Sequence, residues 1–143
     1  MADTKQVAAE NVAALNANDE QRLRATYADD AVLEAPGSAR LEGGDQATEY
    51  AMVWVRAFPD ARQTISNQIV AGDWVVQEFT FSGSHTGTLS SADGDIPATG
   101  RSVTGRGVQI QRIADGRIAE EHVYFDQVEL LRQLGLMPEP ATA

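Results

Sequence analysis

The sequence predicts an α+β domain, a cone in which a curved antiparallel sheet wraps around N-terminal helices and encloses a pocket. Two observations lead there. Helical spacing of apolar residues is concentrated ahead of Pro59, and β signals gather in paired runs from Arg62 onward. Helices first and a long sheet afterwards define α+β and exclude a βαβ repeat. A strongly curved sheet closed on one side by helices leaves a concave space, the usual place for a small-molecule ligand.

Each element has its own signal. Val7, Asn11, Val12 and Leu15 form a stripe at helical spacing. Asn18, with Gln21 three residues on, predicts the cap of a second short helix carrying Leu23 and Tyr27. DDAVLEAPG reads as a brief strand ended by Pro36 and Gly37. A third helix is capped by Asp45 and places Ala47, Tyr50, Ala51, Trp54 and Phe58 on one face until Pro59 stops it. TISNQIV and WVVQEFTFSG flank Ala71, Gly72 and Asp73, and RGVQIQRI and RIAEEHVYF flank Asp115-Gly116, giving two hairpins. Between them SHTGTLSSADGDIPATGRS reads as a polar loop. Asp126 begins a D-x-x-E capping pattern, after which Val128, Leu131 and Leu134 form the buried side of a last helix. Residues 1–136 make one domain, and 137–143, MPEPATA, reads as a disordered tail.

Composition narrows the function. The chain has 143 residues, enough for one domain with a real core, and a formal net charge of −10. Such a field repels backbone phosphates and anionic membranes, so neither nucleic acid nor a membrane is the expected partner. There is no cysteine, hence no disulfide or thiolate chemistry. No apolar run approaches a membrane span, and MADTKQVAAENVAAL lacks a leader's apolar core, so a cytoplasmic location is expected. His85 and His122 are the only histidines and have no close carboxylate spacing of a ligand set, so no metal is expected.

GSHTG at 83–87, PATGR at 97–101, RIADGRI at 112–118, DQVELLRQLG at 126–135 and VWVRAFPD at 53–60 together resemble the SnoaL-like polyketide cyclases of the NTF2-like cone fold. The resemblance covers most of the chain in the family's order. It implies a cone-shaped barrel, a homodimer, no cofactor, and a pocket for bulky, mostly apolar polyketide-like molecules. In the aldol-type cyclases an aspartate of the last strand is the general acid/base, and its position falls here on Val123. A histidine of the preceding strand falls on Gln109, and an asparagine of the early strand falls near Glu34.

Strand alternation places Glu121, Val123 and Phe125 on one face and Glu120, His122, Tyr124 and Asp126 on the other. With Val123 facing the pocket, Glu121 is the carboxylate best placed to exchange a proton there, or else a rim charge paired with an arginine. Gln109 and Gln111 share one strand face, either aimed into the cavity to orient a carbonyl or turned to solvent. Glu34 is either a second cavity carboxylate or a strand-edge charge. Tyr27, Tyr50, Trp54 and Phe58 are core residues that can also wall the ligand. His85 either shapes the mouth or bonds its own turn. Arg56 and Arg101 are anchors for an anionic tail or surface ion pairs.

These residues suit a cofactor-independent cyclase. Ring closure proceeds either by acid/base chemistry at Glu121 or by a pericyclic, cycloaddition-type step in which pocket shape does the work. The alternatives are an epoxide hydrolase or ketone isomerase using paired carboxylates among Glu34, Glu78 and Glu121, and a binding protein without turnover.

Overall fold

A computed structural model describes residues 3–37, 40–91 and 94–137. Past Met137, the tail expected to be disordered lies outside the described residues.

Helix α1 (Thr4–Asn16) opens with a complete capping box. Asp3 accepts from the Gln6 N–H while the Gln6 side chain accepts from the Asp3 N–H, satisfying two donors that helix geometry leaves free. A short α2 (Glu20–Ala25) follows, capped by Asp19 and not by Asn18. Asn18 instead takes the left-handed turn between the helices, with φ 54°. Tyr27 was expected on this helix but opens strand β1 (Tyr27–Glu34), because α2 stops two residues earlier. Two-residue β2 (Leu41–Glu42) then leads into α3 (Gly44–Ala57). Its cap is Gly43, without a side-chain bond; Asp45 sits in the first turn and pairs with Arg24 at 2.8 Å. Phe58, expected on the helix, lies just past its end.

The sheet strands are β3 (Arg62–Ala71), β4 (Trp74–Ser84), β7 (Ser102–Ala114) and β8 (Arg117–Phe125), joined by β1 and β2 in the order β2-β1-β8-β7-β4-β3. Both predicted hairpins form. Ala71 pairs with Trp74 and Ala114 with Arg117, so each turn has two residues. At the second turn Asp115 and Gly116 both have positive φ, matching the right-handed twist of the strands they join.

Two expectations are corrected. The sheet is mixed, since β1 runs parallel to β8. The polar stretch 84–102 contains a separate hairpin of β5 (Leu89–Ser91) and β6 (Gly94–Ile96). Leu89 drives this: it is the buried apolar residue of that stretch and packs with Ala57 and Phe58.

Helix α4 (Gln127–Gln133) is capped by Asp126, which accepts from the Glu129 N–H at 3.0 Å. Its inward residues are Leu130 and Leu134, and Val128 is 46% exposed, so the predicted face is rotated from the observed one. A seven-residue helix gives too few apolar positions to fix its face from sequence.

Two reciprocal amide contacts stitch helices to strands. The Asn16 side chain donates to the Gln63 carbonyl and accepts from the Gln63 N–H at 2.9 and 2.8 Å, tying α1 to edge strand β3. Gln133 does the same for Thr104, 2.8 Å each way, tying α4 to β7. Asn16→Ala leaves both Gln63 backbone groups without these partners and is expected to lower unfolding free energy by about 2 kcal/mol. Asn16→Asp, which keeps only the acceptor, should fall between wild type and Asn16→Ala in urea unfolding.

Candidate active site

Inner and outer faces of the sheet carry different chemistry. Cross-strand registry sets Gln111 opposite Glu121, Gln109 opposite Val123 and Gly107 opposite Phe125, all on the face beneath the helices. Gln109, Glu121, Val123 and Phe125, with Tyr27, Tyr50 and Trp54 above them, line a cavity of about 140 Å³. A space of that order holds one aromatic ring, and the cavity opens to the surface beyond it. Trp54 organises its wall, with ring centroids 6.0 Å from Phe81 and 5.4 Å from Phe125, both edge-on.

Glu121 is 4% exposed and is the buried carboxylate of this wall. Its Oε1 accepts from the Tyr27 hydroxyl at 2.9 Å, and its Oε2 accepts from Gln111 Nε2 at 2.5 Å. Burial pushes the Glu121 carboxyl above its ordinary value, and the donors Gln111 and Tyr27 pull against that rise. Burial, then the nearby Glu121 charge, raises the Tyr27 phenol well above its usual value, so Tyr27 serves as a donor near neutral pH. Tyr50 is pushed up to about 12, again chiefly by burial.

Beside the carboxyl runs a chain of amides. Gln63 Nε2 donates to Gln109 Oε1 at 3.3 Å, Gln109 to Gln77 at 2.7 Å, and Gln77 to Gln68 at 2.8 Å. Gln109 lines the cavity and has one N–H beyond these bonds for a ligand. Gln63 and Asn11 also line it; neither was expected there, and Asn11 was read only as part of the stripe of α1. The signal was available for Gln63 in its two-residue spacing from Ile65, but an isolated glutamine in a strand reads as solvent-facing.

Other expectations are corrected. Glu34 is exposed on the outer face, 3.5 Å from Arg40 and 3.6 Å from His122, because its β1 neighbour Leu33 takes the inward position. Glu78 also faces outward, bonded to Asn67. Neither converges with Glu121, so the paired-carboxylate arrangement is not formed. His122 bonds Glu120 at 2.7 Å on that same outer side. His85 is fully buried away from the cavity, against Phe58 at 5.2 Å, with Nδ1 3.0 Å from the Thr99 hydroxyl; burial lowers its pKa. It fixes its own turn. Phe58 is likewise core and lies outside the cavity wall, as does Gln111, which stands behind Glu121. Arg56 is engaged in a surface ion pair with Glu49. Among the described residues no group of His, Asp and Glu is placed to hold a metal ion, and no helix is long and apolar enough to cross a membrane.

A cone with an apolar cavity and a buried carboxyl at its wall defines a small-molecule site of the NTF2-like class. The SnoaL-like polyketide cyclase model matches residues 5–134, and the chain belongs to that family. It is similar to the aklanonic acid methyl ester cyclase DnrD of Streptomyces peucetius, 36% identical over 64 residues, which are 45% of this chain and 41% of that protein. The match thus spans about two-fifths of the relative's length. Among solved structures, TsrD from Streptomyces laurentii superposes with a TM-score of 0.79 at 28% identity, covering 93% of this chain and 95% of that one. IdmH from Streptomyces antibioticus, a proposed polyketide cyclase, gives 0.77 at 26% identity, with 94% and 99% covered.

The raised Glu121 value has a thermodynamic sign. Relative to the unfolded chain the native state holds this proton more tightly, so its contribution is full below the ordinary carboxyl pKa and is lost as pH rises through the folded value. Glu121→Gln cannot ionise, and the Gln111 amide can turn to accept from it. The variant should therefore gain thermal stability relative to wild type as pH increases above about 4.5, with little difference at more acid pH. Melting curves across pH check this; a pH-independent difference would contradict it.

Proposed function

We propose that the chain closes a ring in a polyketide-type molecule, with Glu121 as the proton-transferring group. The observation that carries this reading is the buried Glu121 carboxyl, displaced two residues along β8 from Val123 and on the same inner face. In its ionised form it would take a proton from the carbon between two carbonyls. The resulting enolate attacks a second carbonyl of the same molecule, forming the carbon–carbon bond. The new alkoxide then recovers the proton from Glu121, so the carboxyl ends as it began. Tyr27 and Gln111 would hold the carboxyl in place, and the spare N–H of Gln109 would meet a substrate carbonyl. Trp54, Tyr50, Val123 and Phe125 would fold the apolar chain.

A second reading is favoured by one detail: both Glu121 oxygens already have donors within the protein. A pericyclic closure would use the same wall and no base. The homodimer implied by the family is also proposed, supported by Ile69 and Tyr124, more than half exposed on the outer sheet face.

Aklanonic acid methyl ester, the molecule in the curated relative's name, is the first substrate to offer. Glu121→Gln should slow ring closure by about 10²–10⁴-fold if Glu121 moves the proton. An unchanged rate would transfer the reaction to pocket shape. Binding without product in wild type, across a panel of such substrates, would leave a binding protein and remove the enzyme reading.

A further inference from the structure

One glycine has no local reason to be a glycine. Of the twelve in the chain, seven have positive φ, and four of the remaining five would drive a Cβ to 3.0 Å or less from another atom. At Gly107, for example, the Cβ would stand 2.5 Å from the Phe79 ring and 2.7 Å from the Tyr124 carbonyl. Gly105 alone has neither constraint: its φ suits any residue, and among the described residues nothing lies within 4 Å of where a Cβ would be. It sits inside β7, where glycine weakens a strand by adding backbone freedom and removing a side chain.

Registry explains what occupies that position. Gly105 pairs with Phe81 and shares the inner face with Gln109 and Gln111. It belongs to the cavity lining, toward the end where Val103, Leu130 and Gln133 form the wall. At roughly 3.3 Å per residue, its six-residue separation from Gln111 sets it about 20 Å along the strand from the Glu121 end. The Gln133 amide holds the backbone of Thr104 next to it, so this part of the wall is fixed.

We propose that Gly105 is a specificity-determining residue: its bare backbone leaves an aperture in which the outer rings of an elongated, fused-ring substrate lie flat against β7. The proposal rests on the cavity being a site for apolar ring systems and adds which molecules it admits. A one- or two-ring compound fits the inner half and does not reach the aperture. A molecule of three or more fused rings must use it.

Gly105→Ala and Gly105→Leu test this with 2-naphthol as the short ligand and 1,8-dihydroxyanthraquinone as the long one, each titrated by calorimetry. Gly105→Leu should weaken the anthraquinone by about tenfold or more, with alanine intermediate, and leave 2-naphthol within about twofold. Thermal midpoints should stay level or rise, since a side chain in a strand with compatible φ restricts the unfolded chain. Anthraquinone affinity unchanged in a folded Gly105→Leu protein would overturn the proposal. So would a lowered midpoint in Gly105→Ala, which would show a structural need for the glycine. Failure of wild type to bind either ligand would remove the ring-binding reading of the cavity, and the aperture with it.

Discussion

A carboxyl group buried under the helices is the constraint on which this molecule depends. Removing Glu121 from water is unfavourable unless hydrogen bonds replace those it loses. One donor, Gln111, comes from the antiparallel neighbour strand, where registry sets the two side chains face to face. The other, Tyr27, comes from the parallel neighbour, and its placement involves more of the fold. Arg24 of α2 donates to the Tyr27 carbonyl at 3.1 Å while pairing with Asp29 and Asp45, so one guanidinium fixes the start of β1 against α3. Gly44 gives it room, because a Cβ there would stand 2.5 Å from that guanidinium.

The two sheet faces divide polar chemistry by type. Outward lie the ion pairs of Glu34 with Arg40 and of Arg112 with Glu120, where water screens them, and the hydrogen bond between His122 and Glu120. Inward lie neutral amides, with Gln63, Gln109 and Gln77 joined in a chain, and one buried carboxyl. Amides orient a ligand's carbonyls and hydroxyls without exchanging protons with them.

Much of this was legible in the sequence, for physical reasons that differ by element. The two hairpins were readable because Gly72-Asp73 and Asp115-Gly116 allow few other conformations. Strand alternation put Glu121, Val123 and Phe125 on one face, and the family resemblance at Val123 turned that face inward. Asp126 as a helix cap followed from its spacing to Glu129. What escaped were features set by distant contacts. The parallel pairing of β1 leaves no local mark, so Glu34 could not be assigned to the outer face, nor Tyr27 to a strand. Gln63 carried only the weak mark of its two-residue spacing from Ile65: its inward position depends on β3 pairing with β4 and on the clamp from Asn16. His85 and Phe58 belong to a second core beneath the β5–β6 hairpin, which the polar composition of that stretch concealed.

The Tyr27–Glu121 bond joins residues 94 apart in the chain, and this bears on how the molecule is assembled. The hairpin strands β3, β4, β7 and β8 lie in sequence order and close through short loops, apart from one insertion between β4 and β7. The parallel strand must wait for nearly the whole chain to be gathered, since loop closure opposes contacts of such separation. Without β1 in place Glu121 lacks its Tyr27 donor and keeps only Gln111. The full hydrogen-bond set of the site therefore exists only where the first strand meets the last.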